Sequence, residues 1–308
     1  MARLKQEPIF SRLKMMEAEL PPEKQQVEDS VQEIHIAVSA GAIVENAGRE
    51  PEPVKTEEKP VISGETSGRT DPFASLESSF VYIAPGTFQM GSPECETGRS
   101  GDEIMHEVTL TKGFYMLKTP VTQRQWEAIM GNNPSSFPDG GDNCPVENVS
   151  WNECQAFIKR LNAGKDGIYR LPKEAEWEYA CRAGTTTPLC NGEISEPYCA
   201  HDPILSEVGW YCGNSSRKSR PVAQKSPNAW GLYDMHSNVS EWCQDWYGEY
   251  DSDSRTDPCG PESAFGKVVR GGSWLSNAKN CRSASRFNWL PEAGIEFIGF
   301  RLVKEMSS

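Results

Sequence analysis

The C-terminal segment constrains the fold of this chain more than any other feature. It opens with VRGGSW at residues 269–274 and closes with IGFRLV at residues 298–303. The large apolar residues between these runs are interrupted by asparagine, proline and glycine, and they follow neither a strand nor a helix period. Such a segment either presents its apolar side chains to solvent or contributes a strand and a buried loop to the core. Spacing alone leaves both possibilities open.

The rest of the chain can supply a core that supports this segment. With 308 residues, 37% hydrophobic content and nine tryptophans, we expect one large domain with an appendage. The net charge of -13 argues against nucleic acid as a partner, because a polyanion would be repelled. We find no apolar run long enough for a membrane span and no apolar signal core at the N-terminus. The compartment stays open, since a removed leader would leave the same sequence.

Composition changes near residues 72–80. Residues 1–75 are acidic and poor in aromatic side chains, which predicts a mostly disordered arm. Within it, Val27, Val31 and Ile34 form a short amphipathic stripe that could dock on the main domain or on a partner. We assign residues 76–308 to one folded domain.

The ten cysteines do not follow a metal-binding pattern. They contain no C-x2-C pair, so a zinc ribbon is not expected. Disulfides remain open among the loop residues Cys190, Cys199 and Cys212. Cys154 and Cys181 lie within helical patterns and are predicted to be small buried hydrophobic residues.

Local patterns near the start of the domain predict strands followed by a helix. Strands are expected at residues 80–83, 86–92 and 106–110, where apolar and polar residues alternate or turn residues flank short runs. A helix is expected after Thr122, with Gln125 completing a capping box.

Two further helices are predicted in the middle of the chain. One starts at Ser150, and a third runs from Pro172 through Arg182, with proline at its start. Beyond Arg182 the chain offers many loops and few regular elements, and such loops are uncommon unless something specific holds them. The helix from Ser150 buries a stripe formed by Trp151, Cys154, Phe157, Ile158 and Leu161.

Several motifs occur in a fixed order along the domain. They are PVENVSW at 145–151, RLPKEAEWEYA at 170–180, NAWGLYDM at 228–235, NVSEW at 238–242, RGGSW at 270–274 and GFR at 299–301. With these motifs, the chain from about residue 80 to 303 resembles the formylglycine-generating enzyme (sulfatase-modifying factor) family. The resemblance implies an α+β domain with an elaborated C-type lectin-like fold, rich in loops.

The catalytic cysteines of that family have no counterpart here. The enzyme oxidises a substrate cysteine with two copper-holding cysteines, since soft thiolates suit Cu(I). Counting back without a gap from Gly299, these positions fall on Ala278 and Ser283, and neither residue is a thiolate ligand. Cys281 lies between them, but one thiol does not reproduce a two-thiolate site.

A second branch of the family, the sulfoxide synthases, adds an iron site with clustered histidines. The four histidines of this chain are too few and too dispersed for such a site. The resemblance therefore implies a scaffold without the chemistry, and we predict that the protein is not an enzyme and has no catalytic cofactor. The histidines are His35, His106, His201 and His236.

The resemblance also implies a structural calcium site. Asp234, Glu241 and the backbone carbonyls of Ser237 and Val239 match a calcium-binding loop of the family, and Ca2+ prefers such oxygen ligands. The alternative is that Asp234 and Glu241 cap and brace the loop without a metal. Either role would be structural.

A branch of the family resembles the variable proteins of diversity-generating retroelements, of the Treponema variable protein type. In that branch, reverse transcription that mutates adenines rewrites a C-terminal repeat. The matching region here is 270–303, in which residues 280–284 and Arg286 resemble the constant frame. The positions that resemble rewritten ones form what we call the variable surface: Leu275, Ser276, Asn277, Ser285, Phe287, Asn288, Trp289, Leu290, Glu292, Gly294, Ile295, Glu296 and Phe297.

Adenine changes in an asparagine codon produce most of these residues, but neither tryptophan nor glutamate. Trp289, Glu292 and Glu296 therefore need lysine or arginine template codons, or else belong to the frame. Phe287, Trp289 and Phe297 are the expected anchors for a ligand, because each removes a large apolar area from water. Glu292 and Glu296 would select a partner through charge.

Three hypotheses follow. The first is a ligand-binding protein that presents a diversified surface on a rigid scaffold to a protein or cell-surface molecule. The second is a catalytically inactive family member with a fixed surface and an accessory or interaction role, in which the same apolar residues belong to the core. The third is an oxidase with altered chemistry.

Overall fold

The computed structural model describes residues 76–77, 79–163 and 168–305. The predicted arm at 1–75 and its stripe at Val27, Val31 and Ile34 lie outside the described residues, so both remain predictions. Within the described part, no helix combines the length and the apolar character needed to cross a bilayer.

Short strands and short helices alternate along the domain and are joined by long loops. The strands are Phe80–Ile83 (β1), Gly86–Met90 (β2), His106–Leu110 (β3), Phe114–Leu117 (β4), Tyr169–Arg170 (β5), Ser240–Trp246 (β6), Arg255–Thr256 (β7), Lys267–Arg270 (β8), Arg286–Trp289 (β9), Ile298–Gly299 (β10) and Val303–Lys304 (β11). The helices are Gln123–Met130 (α1), Trp151–Asn162 (α2), Glu174–Arg182 (α3) and Pro203–Val208 (α4), with 3-10 turns at Pro138–Gly140 and Ala278–Cys281.

The strands of the described residues form small sheets. One has the order β1-β4-β11-β5, another β10-β6-β8-β9, and a third β2-β3-β7. In the second sheet, β6 pairs with β10 in parallel, and β8 pairs with β9 antiparallel, with Val269 opposite Phe287. Strand β9 therefore lies at a sheet edge, with β8 on one side only.

The sequence patterns located the early elements correctly. The Thr122 hydroxyl accepts a bond from the Gln125 N–H at 3.3 Å, and the Gln125 side chain accepts one from the Thr122 N–H at 2.9 Å. Ser150 caps α2 in the same way, and its predicted stripe is buried apart from Trp151, which is partly exposed. Helix α3 begins at Glu174, slightly later than expected.

The last motif of the chain lies at the centre of the core. The Phe300 ring meets Trp126 of α1 and Phe157 of α2 edge-on, at centroid distances of 5.9 Å and 5.3 Å. Trp126 and Phe157 stack on each other at 5.3 Å. Because aromatic pairs add to the free energy gained by burying their area, the C-terminal segment is an integral part of the fold.

The C-terminal segment contains a strand, which is one of the two possibilities that the sequence left open. The sequence shows no strand period there, yet Arg286–Trp289 forms β9. The strand is only four residues long, so its alternation is too brief to detect by periodicity. It forms because its backbone pairs with β8.

Candidate functional site

Strand β9 holds a pair of aromatic side chains at the surface. Phe287 is 46% exposed, and its ring stacks on that of Trp289 at a centroid distance of 6.1 Å. Successive side chains of a strand point to opposite faces, so Phe287 and Trp289 share one face while Arg286 lies on the other. Arg286 is buried and bonds to Glu174 at 2.7 Å and 3.0 Å. A buried ion pair thus lies on one face of β9, and the exposed Phe287 and the partly exposed Trp289 lie on the other.

Most positions of the variable surface are open to solvent to some degree. Phe287, Glu292 and Gly294 are exposed. The partly exposed positions are Leu275, Ser276, Asn277, Ser285, Asn288, Trp289, Leu290 and Glu296.

Ile295 and Phe297 are exceptions, and the prediction that they face solvent is wrong. They are 6% and 8% exposed and pack in the core cluster with Trp274. Their backbones are anchored, since the Ile295 carbonyl accepts from the Asn148 N–H at 3.0 Å and the Phe297 carbonyl accepts from the Ser240 N–H at 2.9 Å. These bonds hold both side chains inward, so Phe297 is not an exposed anchor.

The residues that resemble the constant frame are buried at most positions. Cys281, Arg282, Ser283, Ala284 and Arg286 are all buried, whereas Asn280 is exposed. The buried residues 281–284 thus lie between two runs of partly exposed or exposed positions, 275–277 and 287–290.

A disulfide braces the start of the variable surface. Cys199 and Cys212 are bonded, while Cys190 is free, which resolves the alternatives left open by the sequence. The Cys212 N–H donates to the Ser276 carbonyl at 3.2 Å, and the Ala278 N–H donates to the Tyr198 carbonyl at 3.2 Å. The loop that carries Cys199 therefore lies directly against the variable surface.

The two positions that match the copper cysteines lie in packed surroundings. Ala278 and Ser283 are both 0% exposed. Ala278 packs with Tyr211 and Cys281, and the Ser283 hydroxyl accepts a weak bond from the Cys181 thiol at 3.6 Å. Neither side chain can ligate Cu(I) as a thiolate.

The cysteines that remain near these positions are not poised for thiolate chemistry. Burial raises the pKa of Cys181 and of Cys281 to about 12 each, so both thiols stay protonated near neutral pH, whereas nucleophiles and metal ligands are thiolates. Cys154 and Cys181 are buried, as predicted.

His236 lies beside Cys181 but has both ring nitrogens occupied. Its Nε2 accepts from the Cys190 N–H at 2.9 Å, and its Nδ1 lies 2.9 Å from the Cys281 carbonyl, to which it donates. These partners assign the proton to Nδ1. Among the described residues, no group of three or more His, Cys, Asp or Glu side chains is arranged to hold a metal ion.

The proposed calcium ligands make bonds of their own. Both Glu241 oxygens accept from Arg301 at 2.7 Å, and Oε2 also accepts from the Trp177 ring N–H at 2.7 Å. Asp234 is buried and accepts from the Ala223 N–H at 2.8 Å. Burial raises the pKa of Asp234 to about 6. These contacts brace the loop. Asp234 suits a cation better than Glu241 does, because Glu241 is already neutralised by Arg301.

Buried ion pairs connect the motifs, and the sequence patterns missed them. Glu178 binds Arg182, at 2.8 Å, and Arg270. Arg282 pairs with Glu96 and Glu103 at 2.5 Å and 2.6 Å. Glu178 and Arg270 stand among apolar residues in the motifs at 170–180 and 270–274, which signals a buried pair because unpaired charges are rarely buried. Glu96, Glu103 and Arg282 lie outside the motifs and carry no such signal.

Comparison with known proteins identifies the same family that the motifs resemble. Residues 67–306 match the family model of the Sulfatase-modifying factor enzyme 1-like domain. The chaperone protein LppX of Paenibacillus barcinonensis is 31% identical over 256 residues, which cover 69% of this chain and 82% of LppX. The formylglycine-generating enzyme of Mus musculus is 32% identical over 227 residues, covering 67% of this chain and 58% of that enzyme. The chain thus spans little more than half of the enzyme.

Two solved structures share the fold. Treponema denticola variable protein 1 matches with a TM-score of 0.66 and 30% identity, over 74% of this chain and 95% of that one. PvdO from Pseudomonas aeruginosa matches with a TM-score of 0.65 and 29% identity, over 74% of this chain and 94% of PvdO. The domain therefore has the predicted α+β, loop-rich, C-type lectin-like fold.

Proposed function

This chain belongs to the Sulfatase-modifying factor enzyme 1-like family, and we propose that it is a ligand-binding protein without catalytic activity. Its C-terminal surface would contact a protein or cell-surface molecule, while the remaining domain acts as a rigid support. The observation that carries this proposal is the exposed Phe287 ring, which stacks on the partly exposed Trp289 on the edge strand β9. Rigid aromatic side chains bind with little loss of conformational entropy and are frequent hot spots.

The chemistry around the family's catalytic positions supports a binding role. Ala278 and Ser283 supply no thiolate, and burial keeps the nearby thiols of Cys181 and Cys281 protonated. A binding protein needs none of these groups to react. It needs a stable base, which the buried pairs of Arg286 with Glu174 and of Arg282 with Glu103 supply.

The names of two similar proteins support different versions of this role. Treponema denticola variable protein 1 favours the version in which residues 270–303 are diversified by a retroelement. The chaperone protein LppX favours the second candidate, a fixed surface in an accessory or chaperone role. We propose the diversified version, because the exposed and partly exposed positions lie on either side of the buried residues 281–284. Ile295 and Phe297 then belong to the frame.

A structural calcium ion at Asp234 and the carbonyls of Ser237 and Val239 is also part of this proposal. The buried Asp234 carboxylate accepts few bonds, and a cation would compensate for its burial. Glu241 would join the ion only by giving up a bond to Arg301.

The binding proposal is tested with two matched aromatic pairs. Phe287→Ser with Trp289→Ser removes the pair on β9. Tyr82→Ser with Tyr115→Ser removes another exposed pair, which lies across β1 and β4 at a centroid distance of 5.4 Å. A cell-surface protein extract is passed over immobilised wild-type and variant domains. We expect a partner that binds wild type and the tyrosine variant and that is lost with the β9 variant. Equal binding to all three would contradict the proposal.

Diversification is tested by sequencing the DNA that flanks the gene. We expect a second near-copy of the codons for residues 270–303 beside a reverse transcriptase gene. The copy should differ from the gene only where the template has adenines. Absence of a copy would leave the fixed-surface candidate as the better one.

The affinity of the protein for Cu(I) distinguishes the two binding candidates from the oxidase candidate. An oxidase that uses thiolates would bind Cu(I) tightly and lose that affinity when Cys281 is replaced by Ser. We expect no tight binding in competition with a Cu(I) chelator. Tight, Cys281-dependent binding would overturn the non-catalytic proposal.

A further inference from the structure

A cleft lies on the side of β9 opposite Phe287. Its volume is about 510 Å3, and its walls come from the first turn of α3, the loop after β6 and residues 255–261. Arg286 lines it from β9. The cleft is thus separate from the variable surface, although both use the same strand.

The charges that line the cleft are mostly negative. Five carboxylates and two arginines face it. Both arginines are already paired: Arg286 with Glu174 at 2.7 Å, and Arg255 with Asp251. Across the described residues, Asp245, Glu249 and Asp257 form no ion pair with a basic side chain. A positive ligand would therefore be attracted to the cleft.

Asp245 is the most deeply placed of the unpaired carboxylates. It is 4% exposed, and its Oδ2 accepts from the Glu174 N–H at 2.9 Å. Within the described part of the chain, no hydrogen-bond donor reaches Oδ1. Oδ1 is not among the fully enclosed side-chain atoms that lack a hydrogen-bond partner, so it is open to the cleft. Because the side chain lines the cleft, a ligand there can reach it.

Part of the remaining wall is apolar and suits a hydrocarbon stem, while His106, Tyr250 and Thr256 also line the cleft. Ala175, Trp246 and Pro261 are among the lining residues. A single available oxygen suits an ammonium group, which acts as a compact charge, better than a guanidinium, which prefers two parallel acceptors.

We propose that this cleft binds a primary ammonium group on an apolar stem, with the ammonium on Asp245 and the stem against Trp246 and Pro261. The group can belong to a free amine or to a lysine side chain of a partner protein. The chemistry is the same in both cases, and the two sources are distinguished by experiment.

The electrostatic surroundings of Asp245 agree with this assignment. Burial, together with the neighbouring charge of Glu174, raises the pKa of Asp245 to about 7. Glu176 acts in the same direction, whereas Lys173 opposes it, and Lys267 is a further cation coupled to Asp245. An ammonium binds the ionised carboxylate, so its affinity should rise from about pH 6 to about pH 8 and then level off.

The test is calorimetric titration of the full chain with benzylamine and with benzyl alcohol, its neutral counterpart. We expect benzylamine to bind about tenfold more tightly or better, a difference that calorimetry resolves. Asp245→Asn keeps an acceptor for the Glu174 N–H but removes the charge, and it should remove this preference. Glu127→Gln, at an exposed position of α1 outside the cleft, should leave it unchanged. Nα-acetyl-lysine methylamide represents a partner's lysine.

The outcomes separate clearly. A preference for benzylamine that Asp245→Asn removes supports a free-amine site, and stronger binding of the lysine derivative supports a partner's side chain. Equal affinity for benzylamine and benzyl alcohol, or no binding of any amine at millimolar concentration, overturns the proposal. So does an amine preference that survives Asp245→Asn. The comparison of charged and neutral probes uses the wild-type chain, so the proposal stays testable if the variant does not fold.

Discussion

Arg301 and Glu241 form a buried ion pair through two hydrogen bonds, Nε to Oε2 and Nη2 to Oε1, each 2.7 Å long. The Trp177 ring N–H donates to the same carboxylate at 2.7 Å. Three motifs that are distant in sequence therefore meet at one carboxylate. The pair links the end of the chain to the central strand β6, so it contributes to holding the C-terminal segment in place.

Removing one charge of this pair should destabilise the domain strongly. Glu241→Gln leaves the buried Arg301 guanidinium without a counter-charge, and such changes cost about 3–5 kcal/mol. Urea unfolding of the variant and of wild type gives the difference in unfolding free energy. The exposed Glu292→Gln serves as control and should change stability by less than about 0.5 kcal/mol. A loss below about 1 kcal/mol for Glu241→Gln would contradict a dominant role for the pair.

Calcium should raise the melting temperature of the wild-type domain. A ligand that binds only the folded state stabilises it in proportion to the logarithm of its concentration over Kd. Thermal unfolding with millimolar calcium and with a chelator measures the effect. Asp234→Asn should abolish the response. If calcium does not change the melting temperature of the wild-type domain, the calcium proposal is contradicted. Asp234 and Glu241 would then stabilise the loop without a metal.

The local part of this fold could be predicted from the sequence, because neighbouring residues determine it. The capping box of Thr122 and Gln125 needs only four consecutive residues, and the stripe of α2 needs only the helical period. The buried pairs could not be predicted in this way. Glu174 meets Arg286, which is 112 residues away, and no local pattern reports such a partner.

The candidate surface shows the same limit. Phe287 and Phe297 both stand in the irregular segment between residues 275 and 297, which lacks a sustained hydrophobic period. One lies on an edge strand and faces solvent, and the other is turned inward because its carbonyl bonds to the Ser240 N–H. Exposure of an aromatic side chain in a loop is decided by such distant backbone bonds. The sequence therefore identifies the segment but not each exposed position.

The two phenylalanines should respond differently to truncation. Phe297→Ser removes a core side chain and should cost about 3–5 kcal/mol, whereas Phe287→Ser should cost about 1 kcal/mol or less. Denaturant unfolding measures both under identical conditions, and each variant is the matched control of the other. Similar losses of unfolding free energy for the two variants would mean that Phe287 belongs to the core. The binding proposal would then lose its main observation.

Breaking the disulfide should loosen the start of the variable surface. The bond joins residues with a sequence separation of 13, and closing a loop of this length stabilises a fold by about 2–4 kcal/mol. Cys199→Ser should lower the unfolding free energy by that amount and should speed amide exchange at Ala278, whose N–H bonds to Tyr198. Cys95→Ser, at an exposed free cysteine, is the control. Unchanged exchange at Ala278 would show that the loop is held by other contacts.

Glu147 should make the stability of the domain fall as pH rises. Burial raises its pKa from 4.5 to about 7, with a smaller contribution from the charge of Glu296. Between these two values the unfolded chain has lost this proton and the folded chain keeps it, so ionisation favours unfolding. Each pKa unit corresponds to about 1.4 kcal/mol, and the gap from 4.5 to about 7 corresponds to about 3 kcal/mol.

The variant Glu147→Gln isolates this effect, because glutamine stays uncharged. Its unfolding free energy relative to wild type should increase by about 3 kcal/mol from about pH 4 to about pH 8, with no further change above that. Urea unfolding at several pH values measures the difference, in which the other titrating groups cancel. Glu296→Gln should lower the pKa of Glu147 in the folded chain by removing the neighbouring charge. The pH range over which stability changes should therefore become narrower. A difference between Glu147→Gln and wild type that does not change with pH would mean that Glu147 is already ionised in the folded chain at low pH.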